Sequence, residues 1–234
     1  MPHTLTPGLE TISAIHTTIT GKNEDILQHP FNITAEFALF YIQPSASIKP
    51  FEVVCETEFG DVVILARSID CVYENFNRSL ADYEKGFGLV PMNRWIGFDK
   101  IQAIYNNHMD YDFQFNLFDT NWVHCEQFYT DLKLGNKSSG YTIMFDSSDG
   151  DCGDSITGSL NLQGRLFSTY DADYTDYRCA ERYGGGWWFA NHPNCTRSFL
   201  TGSTDGSNFW LDDLGDIVLN QITVLFYRFD YTLD

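Results

Sequence analysis

Apolar residues along this chain fall in short runs separated by polar bends, and few of the runs hold a helical period for long. Phe37-Ala-Leu-Phe-Tyr-Ile and Phe51-Glu-Val-Val-Cys, split by a bend rich in Pro and Ser, predict a pair of strands. Asp61-Val-Val-Ile-Leu-Ala-Arg is rich in β-branched residues, breaks at Asp70, and predicts a third strand. The spacing of Leu80, Tyr83 and Phe87 predicts a short helix, capped by Ser79 and stopped by Gly86 and Gly88. A second short helix is predicted at Asp99-Lys-Ile-Gln-Ala-Ile-Tyr-Asn. After it, Tyr111-Asp-Phe-Gln-Phe-Asn-Leu-Phe alternates apolar and polar, as a strand with one buried face does. Gly140-Tyr-Thr-Ile-Met-Phe and the long run from Ile217 to Phe229 complete the predicted strands, the last long enough to be central in a sheet.

Between these runs lie two regions of a different kind. The first 30 or so residues are polar and Thr-rich, so residues 1–35 are read as an extension or stalk with no assigned function. From Asp146 to Gly215 the chain is dominated by Gly, Ser, Asp, Asn and Thr with isolated Trp and Tyr. Such a segment needs crosslinks or a metal to hold it, because it offers little repetitive structure. Short helices mixed with hairpin-spaced strands, without regular β-α-β alternation, place the fold in the α+β class with an antiparallel-dominated sheet.

Composition narrows the function. The 234 residues are 43% hydrophobic, enough for a substantial core, and 16% aromatic, which suits a loop-rich fold pinned by large rings. With 14 basic against 32 acidic side chains the formal charge is -18, so the surface repels phosphate and a nucleic-acid partner is excluded. No apolar run approaches the length of a bilayer span, so no membrane insertion is expected. Six cysteines without a Cys-x-x-Cys pair point to disulfides. Four sequons, at Asn32, Asn77, Asn136 and Asn194, also point to a secreted, extracellular glycoprotein. The start, Met1-Pro-His-Thr-Leu, lacks a basic and apolar leader, so the sequence is read as trimmed or as a fragment.

Catalytic chemistry finds no foothold. His3, His16, His29, His108, His124 and His192 form neither a metal-ligand pair nor part of a nucleophile elbow. His124 beside Cys125 does not make a dyad, because neighbours along a strand rarely face each other. Carboxylates are abundant, but nothing singles out two of them for acid–base work. The chain is therefore expected not to be an enzyme.

Ordered blocks along the chain resemble the C-terminal domain shared by fibrinogen chains, ficolins, angiopoietins, tenascins and tachylectins. They are Phe51-Glu-Val-Val-Cys55-Glu, Ser68-Ile-Asp70, Tyr83-Glu-Lys-Gly-Phe-Gly88 and Trp95-Ile-Gly-Phe-Asp-Lys-Ile101, followed by Phe167-Ser-Thr-Tyr-Asp-Ala-Asp173. Cys179-Ala-Glu-Arg-Tyr-Gly-Gly-Gly-Trp-Trp188, Asn208-Phe-Trp210 and Leu225-Phe-Tyr-Arg228 continue the order. The resemblance implies a fibrinogen-like domain over 36–234. Within it lie an N-terminal subdomain at about 36–66, a middle subdomain at about 67–145 completed by a C-terminal strand at 217–229, and a loop-rich binding subdomain at about 146–216. Two departures stand out: no Cys precedes Cys55, and Phe59-Gly-Asp-Val-Val replaces the family's Gly-Gly-Trp-Thr.

The same resemblance implies a disulfide between Cys179 and Cys195, and a pocket for acetylated ligands to which Tyr183, Trp187 and His192 contribute. An alternative makes Trp187 and Trp188 core and His192 a surface turn residue. The family's acetyl binders carry His directly after the second Cys, whereas His192 precedes Cys195 here. Calcium is the implied cofactor, with Asp173 and Asp176 as ligands and Asp171 in the outer shell. The loop from Asp171 to Cys179 is about two residues shorter than in the family, so two readings stay open: a retained site, or aspartates that are merely solvated. Asp146-Ser-Ser-Asp-Gly-Asp-Cys-Gly-Asp154 is read as an acidic turn. Cys55 with Cys71 and Cys125 with Cys152 are taken as the remaining pairs. The function implied is a lectin of innate recognition that binds glycans, with a protein-interaction module whose sugar pocket has decayed as the alternative. The family's habit of assembling through stalks implies a homo-oligomer.

Overall fold

The long C-terminal strand is the pivot of the architecture. In the computed structural model, residues 37–44, 46–57, 60–68, 73–89, 93–105, 111–202, 207–211 and 216–227 are described. The extension at 1–35, Asn32 and Cys71 lie outside them. The first half of the chain carries β1 (Phe37–Ile42), β2 (Phe51–Glu56), β3 (Val62–Ser68), α1 (Leu80–Lys85), β4 (Phe87–Leu89), β5 (Asn93–Trp95), α2 (Phe98–Tyr105) and β6 (Asp112–Asp119). Then come β7 (His124–Thr130), β8 (Lys133–Leu134), β9 (Ile143–Met144), β10 (Ser147–Gly150) and β11 (Phe167–Ser168). The last elements are α3 (Cys179–Tyr183), β12 (Trp187–Trp188), β13 (Ser198–Phe199), β14 (Phe209–Leu211) and β15 (Asp216–Tyr227).

The main sheet runs β1-β2-β3-β15-β6-β7-β10, and β15 is antiparallel to both β3 and β6. The C-terminal strand thus inserts into the middle of the sheet, as its apolar length predicted. Ile222, Val224 and Phe226 alternate onto the principal core, while Leu225 faces a smaller cluster with Val54, Val63 and Ala66 on the other side. This is the two-residue period of a strand covered on both faces. The α+β reading with antiparallel pairing therefore stands.

Local signals placed α1 as expected. Ser79 accepts from the Asp82 amide while the Asp82 side chain accepts from the Ser79 amide, which satisfies two otherwise orphaned donors. Three expectations are corrected. The strand read at 140–145 shrinks to Ile143–Met144, paired with β8. Part of the acidic turn read at 146–154 is β10, an edge strand against β7. Cys55 is a buried free thiol in the core and not half of a disulfide. Its burial, with Asp61 and Glu56 nearby, pushes the thiol pKa up to about 12. The pairs Cys125–Cys152 and Cys179–Cys195 are formed. Among the described residues no helix is long and apolar enough to cross a membrane.

Candidate functional site

The loop-rich part is docked on the sheet by rings and by single hydrogen bonds. Tyr83 of α1 is fully buried and touches the rings of Phe87, Trp95 and Phe167. Its hydroxyl donates to Phe76 O and accepts from Gly186 N. A Cβ on Gly186 would stand 2.6 Å from the Tyr83 ring, so the glycine before the Trp pair is required by this close approach. Trp188 Nε1 donates to Tyr141 O at 2.6 Å, and Trp210 Nε1 to Gly153 O at 2.8 Å.

A cleft of about 480 Å³ opens where α3, the segment 192–197, residues 159–160 and β14 meet. Tyr183, His192, Arg182, Asn194, Leu160 and Phe209 are among its lining residues. Tyr183 packs against Phe189, Phe199 and Phe209, and its hydroxyl donates to Asn194 O at 3.1 Å. The Nδ1 of His192 accepts from the Asn194 amide at 3.1 Å, which leaves Nε2 as the protonated nitrogen of the neutral ring. Arg182 Nη1 donates to Pro193 O at 3.0 Å. The turn 192–195 is therefore tied down from three sides, and Cys195 closes it at a positive φ of 60° with its sulfur bonded to Cys179. A non-glycine residue held in that region stores strain that the surrounding contacts must offset.

Of the three residues expected in the pocket, the structure brings Tyr183 and His192 together at the cleft. Trp187 is not in the lining: it is buried in contact with Trp188 and Phe199. Its ring contributes to packing, and its Nε1 has no hydrogen-bond partner among the described residues. The sequence reading passed over Arg182, Leu160 and Phe209. Arg182 adjoins Tyr183 in the chain, whereas Leu160 comes from the loop ahead of β11 and Phe209 from β14, and neither carries a local signal.

The three aspartates expected to hold calcium point to different partners. Asp171 Oδ1 accepts from Leu80 N and Thr169 Oγ1. Asp173 Oδ1 accepts from the amide and hydroxyl of Thr175, and its Oδ2 accepts from Ala180 N at 2.8 Å. That last bond caps α3, whose own N-cap, Arg178, makes no side-chain cap. Asp176 Oδ2 accepts from the Asn191 side chain. Calcium needs six to eight converging oxygens, and these carboxylates, bonded at separate places, do not fit such a shell in this arrangement. Among the described residues the one trio of His, Cys, Asp or Glu ligand atoms mutually within 4.8 Å is Cys125, Asp151 and Cys152. Its two sulfurs are joined in a disulfide, so they offer no thiolate.

The three sequons among the described residues fall on exposed sites. Asn77 lies just ahead of α1, Asn136 caps the 3-10 turn 137–139, and Asn194 is on the rim of the cleft.

Comparison with known proteins agrees with this geometry. The family model described as fibrinogen beta and gamma chains, C-terminal globular domain, matches residues 24–215. Fibrinogen-like protein 1 of Mus musculus is 32% identical over 192 residues, 73% of this chain and 60% of that protein. The fibrinogen alpha chain of Gallus gallus is 29% identical over 185 residues, 72% of this chain and 24% of that one. The chain thus spans about a quarter to three fifths of the length of these relatives. The fibrinogen-like globe domain of human ANGPTL2 superposes with a TM-score of 0.72 at 23% identity, covering 83% of this chain and 93% of that domain, a likeness of fold. The lamprey fibrin D-dimer complexed with the peptide Gly-His-Arg-Pro-amide superposes with a TM-score of 0.67 at 25% identity, covering 85% of this chain and 72% of that one. The family model covers most of the chain, and by that match the chain belongs to the fibrinogen C-terminal globular domain family.

Proposed function

We propose that this chain is a secreted, extracellular recognition module that takes a glycan carrying an acetyl group in the Tyr183–His192 cleft, without chemical turnover. The observation that carries the reading is the cleft itself. It has an aromatic wall of Tyr183 and Phe209, and polar groups from Arg182 of α3 and from His192 and Asn194 on a turn held by three hydrogen bonds. Such a preformed site, apolar on one side with a few fixed donors, is what binding of a small ligand needs. Turnover would need an acid, base or nucleophile within reach of one another, and the Nδ1 of His192 is already engaged by Asn194. Calcium has no place in this reading, because the aspartates implied for it serve as caps and loop braces.

The test is a titration of N-acetylated sugars against wild type, Tyr183→Phe and His192→Ala. Phe is chosen at 183 because the ring packs on Phe189 and Phe199, so Ala would damage the core as well. Each lost polar contact is expected to weaken binding by roughly fivefold, the equivalent of about 1 kcal/mol. Unchanged affinity in both variants would move the ligand elsewhere. A second reading, recognition of a short peptide, is favoured by the peptide carried in the lamprey fibrin structure. It becomes the better one if wild type binds peptides and no acetylated sugar.

A further inference from the structure

We infer that Asn194 is an N-glycosylation site whose glycan covers the mouth of the cleft and so regulates access to it. The inference rests on the cleft being the ligand site and on passage of the chain through the secretory pathway. Asn194 begins the sequon Asn194-Cys195-Thr196 and is itself one of the residues that line the cleft. It is exposed, and among the described residues its side-chain amide makes no hydrogen bond. The bonds that hold it use its backbone alone: its N–H donates to His192 Nδ1, and its carbonyl accepts from the Tyr183 hydroxyl. A sugar on Nδ2 therefore disturbs none of the contacts that shape the site. It is also anchored on a rigid turn at the rim, so a bulky hydrated chain stands beside a cleft of about 480 Å³ and competes with any ligand for the approach. Neither Asn77 nor Asn136 lines the cleft, and the Oδ1 of Asn136 is taken up by Ser138 and Ser139.

The fold also dictates when the sugar is attached. In the finished domain Thr196 is 3% exposed, with its hydroxyl donating to Ser198 O and accepting from Ser198 N, and Cys195 is buried in its disulfide. A transferase cannot read a sequon packed in this way. Transfer is therefore expected before Thr196 packs against Ser198 in the finished domain. In that step the Asn194 Nδ2 attacks the anomeric carbon of a polyprenyl-diphosphate-linked oligosaccharide. The N–C bond forms, the C–O bond to the diphosphate breaks with its electron pair leaving on the diphosphate, and the amide nitrogen gives up one proton to a base of the transferase.

The chain secreted from eukaryotic cells that add high-mannose glycans is digested, and occupancy is read by mass spectrometry at Asn194, Asn77 and Asn136 together. The intact glycoprotein, the same protein trimmed by an endoglycosidase to a single sugar, and Asn194→Gln are then treated with diethyl pyrocarbonate. Occupied Asn194 is expected, with modification of His192 severalfold faster in the trimmed and Asn194→Gln forms, while exposed His124 reacts equally in all three. An empty Asn194 beside occupied Asn77 or Asn136 overturns the site, and equal His192 rates overturn the cover. N-acetylated sugar is titrated against the same three forms. If none binds while His192 is still shielded, the ligand reading of the cleft falls and the cover stands.

Discussion

The sheet and the loop-rich region are ordered by different means. In the sheet, β15 is bonded to β6 from Leu219 to Tyr227 and to β3 from Gln221 to Phe226, so the residues from Gln221 to Phe226 share their constraint with neighbours on two sides. Between residues 151 and 211 the strands are two or three residues long. There, order comes from contacts that each occur once: Trp188 to Tyr141, Trp210 to Gly153, Thr201 to Gly186, Asn208 to Gly202 and Ser198 to Ser155. Eight of the thirteen buried polar residues among those described lie between 155 and 208, so buried hydroxyls and amides replace a ladder there. A buried polar group that loses its partner costs roughly 1–3 kcal/mol, so each pin matters individually. What this construction provides is a surface free of sheet geometry, on which a cleft can be shaped by turns.

Trp188→Ala against Thr223→Ala breaks the comparison most directly. Removing the Trp188 ring, 4% exposed and bonded through Nε1, is expected to cost about 3–5 kcal/mol in urea unfolding. Thr223, one rung of β15 on its partly exposed positions, is expected to cost under about 1 kcal/mol. Equal losses would mean that the loop region is as redundantly held as the sheet. Asp173→Ala is a smaller lesion within the loops. It removes the cap of α3 and the brace on Thr175, with an expected loss of about 0.5–2 kcal/mol. Because the carboxylates are already committed, moving wild type from chelator to millimolar calcium is expected to leave its melting temperature unchanged. A clear rise, as binding to the native state alone produces, would restore calcium to the loop.

The smallest effect sharpens the comparison without disturbing either half. Cys55 lies in the sheet core, where burial, reinforced by Asp61 and Glu56, raises its pKa from the ordinary thiol value to about 12. At pH 8 the thiol is therefore neutral and unreactive in the native state. Iodoacetamide is expected to label Cys55 only on global unfolding, even in Asp173→Ala. Labelling that accelerates in that variant before the global transition would show that the two regions open together.

Several elements were legible because their signal is local. β1, β2, β3, β6 and β15 follow from alternation or β-branched runs, and α1 follows from its capping residues. β7 escaped because its inward positions include Gln127, which is 2% exposed, and Tyr129, whose hydroxyl donates to Asp154. Hydropathy reads a buried Gln as surface. β10, Ser147–Gly150, carries no apolar residue at all and is a strand only because β7 lies alongside it.

The sequence by itself determined the family blocks, the long C-terminal strand, the Cys179–Cys195 crosslink that their resemblance implied, and the placement of Tyr183 and His192 near one site. These depend on residue type and spacing, which a chain displays before it folds. Only the tertiary structure decided that Trp187 faces the core, that Cys55 stays free, that Asp171, Asp173 and Asp176 separate onto α1, α3 and Asn191, and that Asn194 stands at the mouth of the cleft. Each of these depends on where a side chain's partner lies, and the partners come from up to 91 residues away, as Leu80 does for Asp171. Burial and convergence are properties of packed neighbours, and periodicity along the chain carries no record of them.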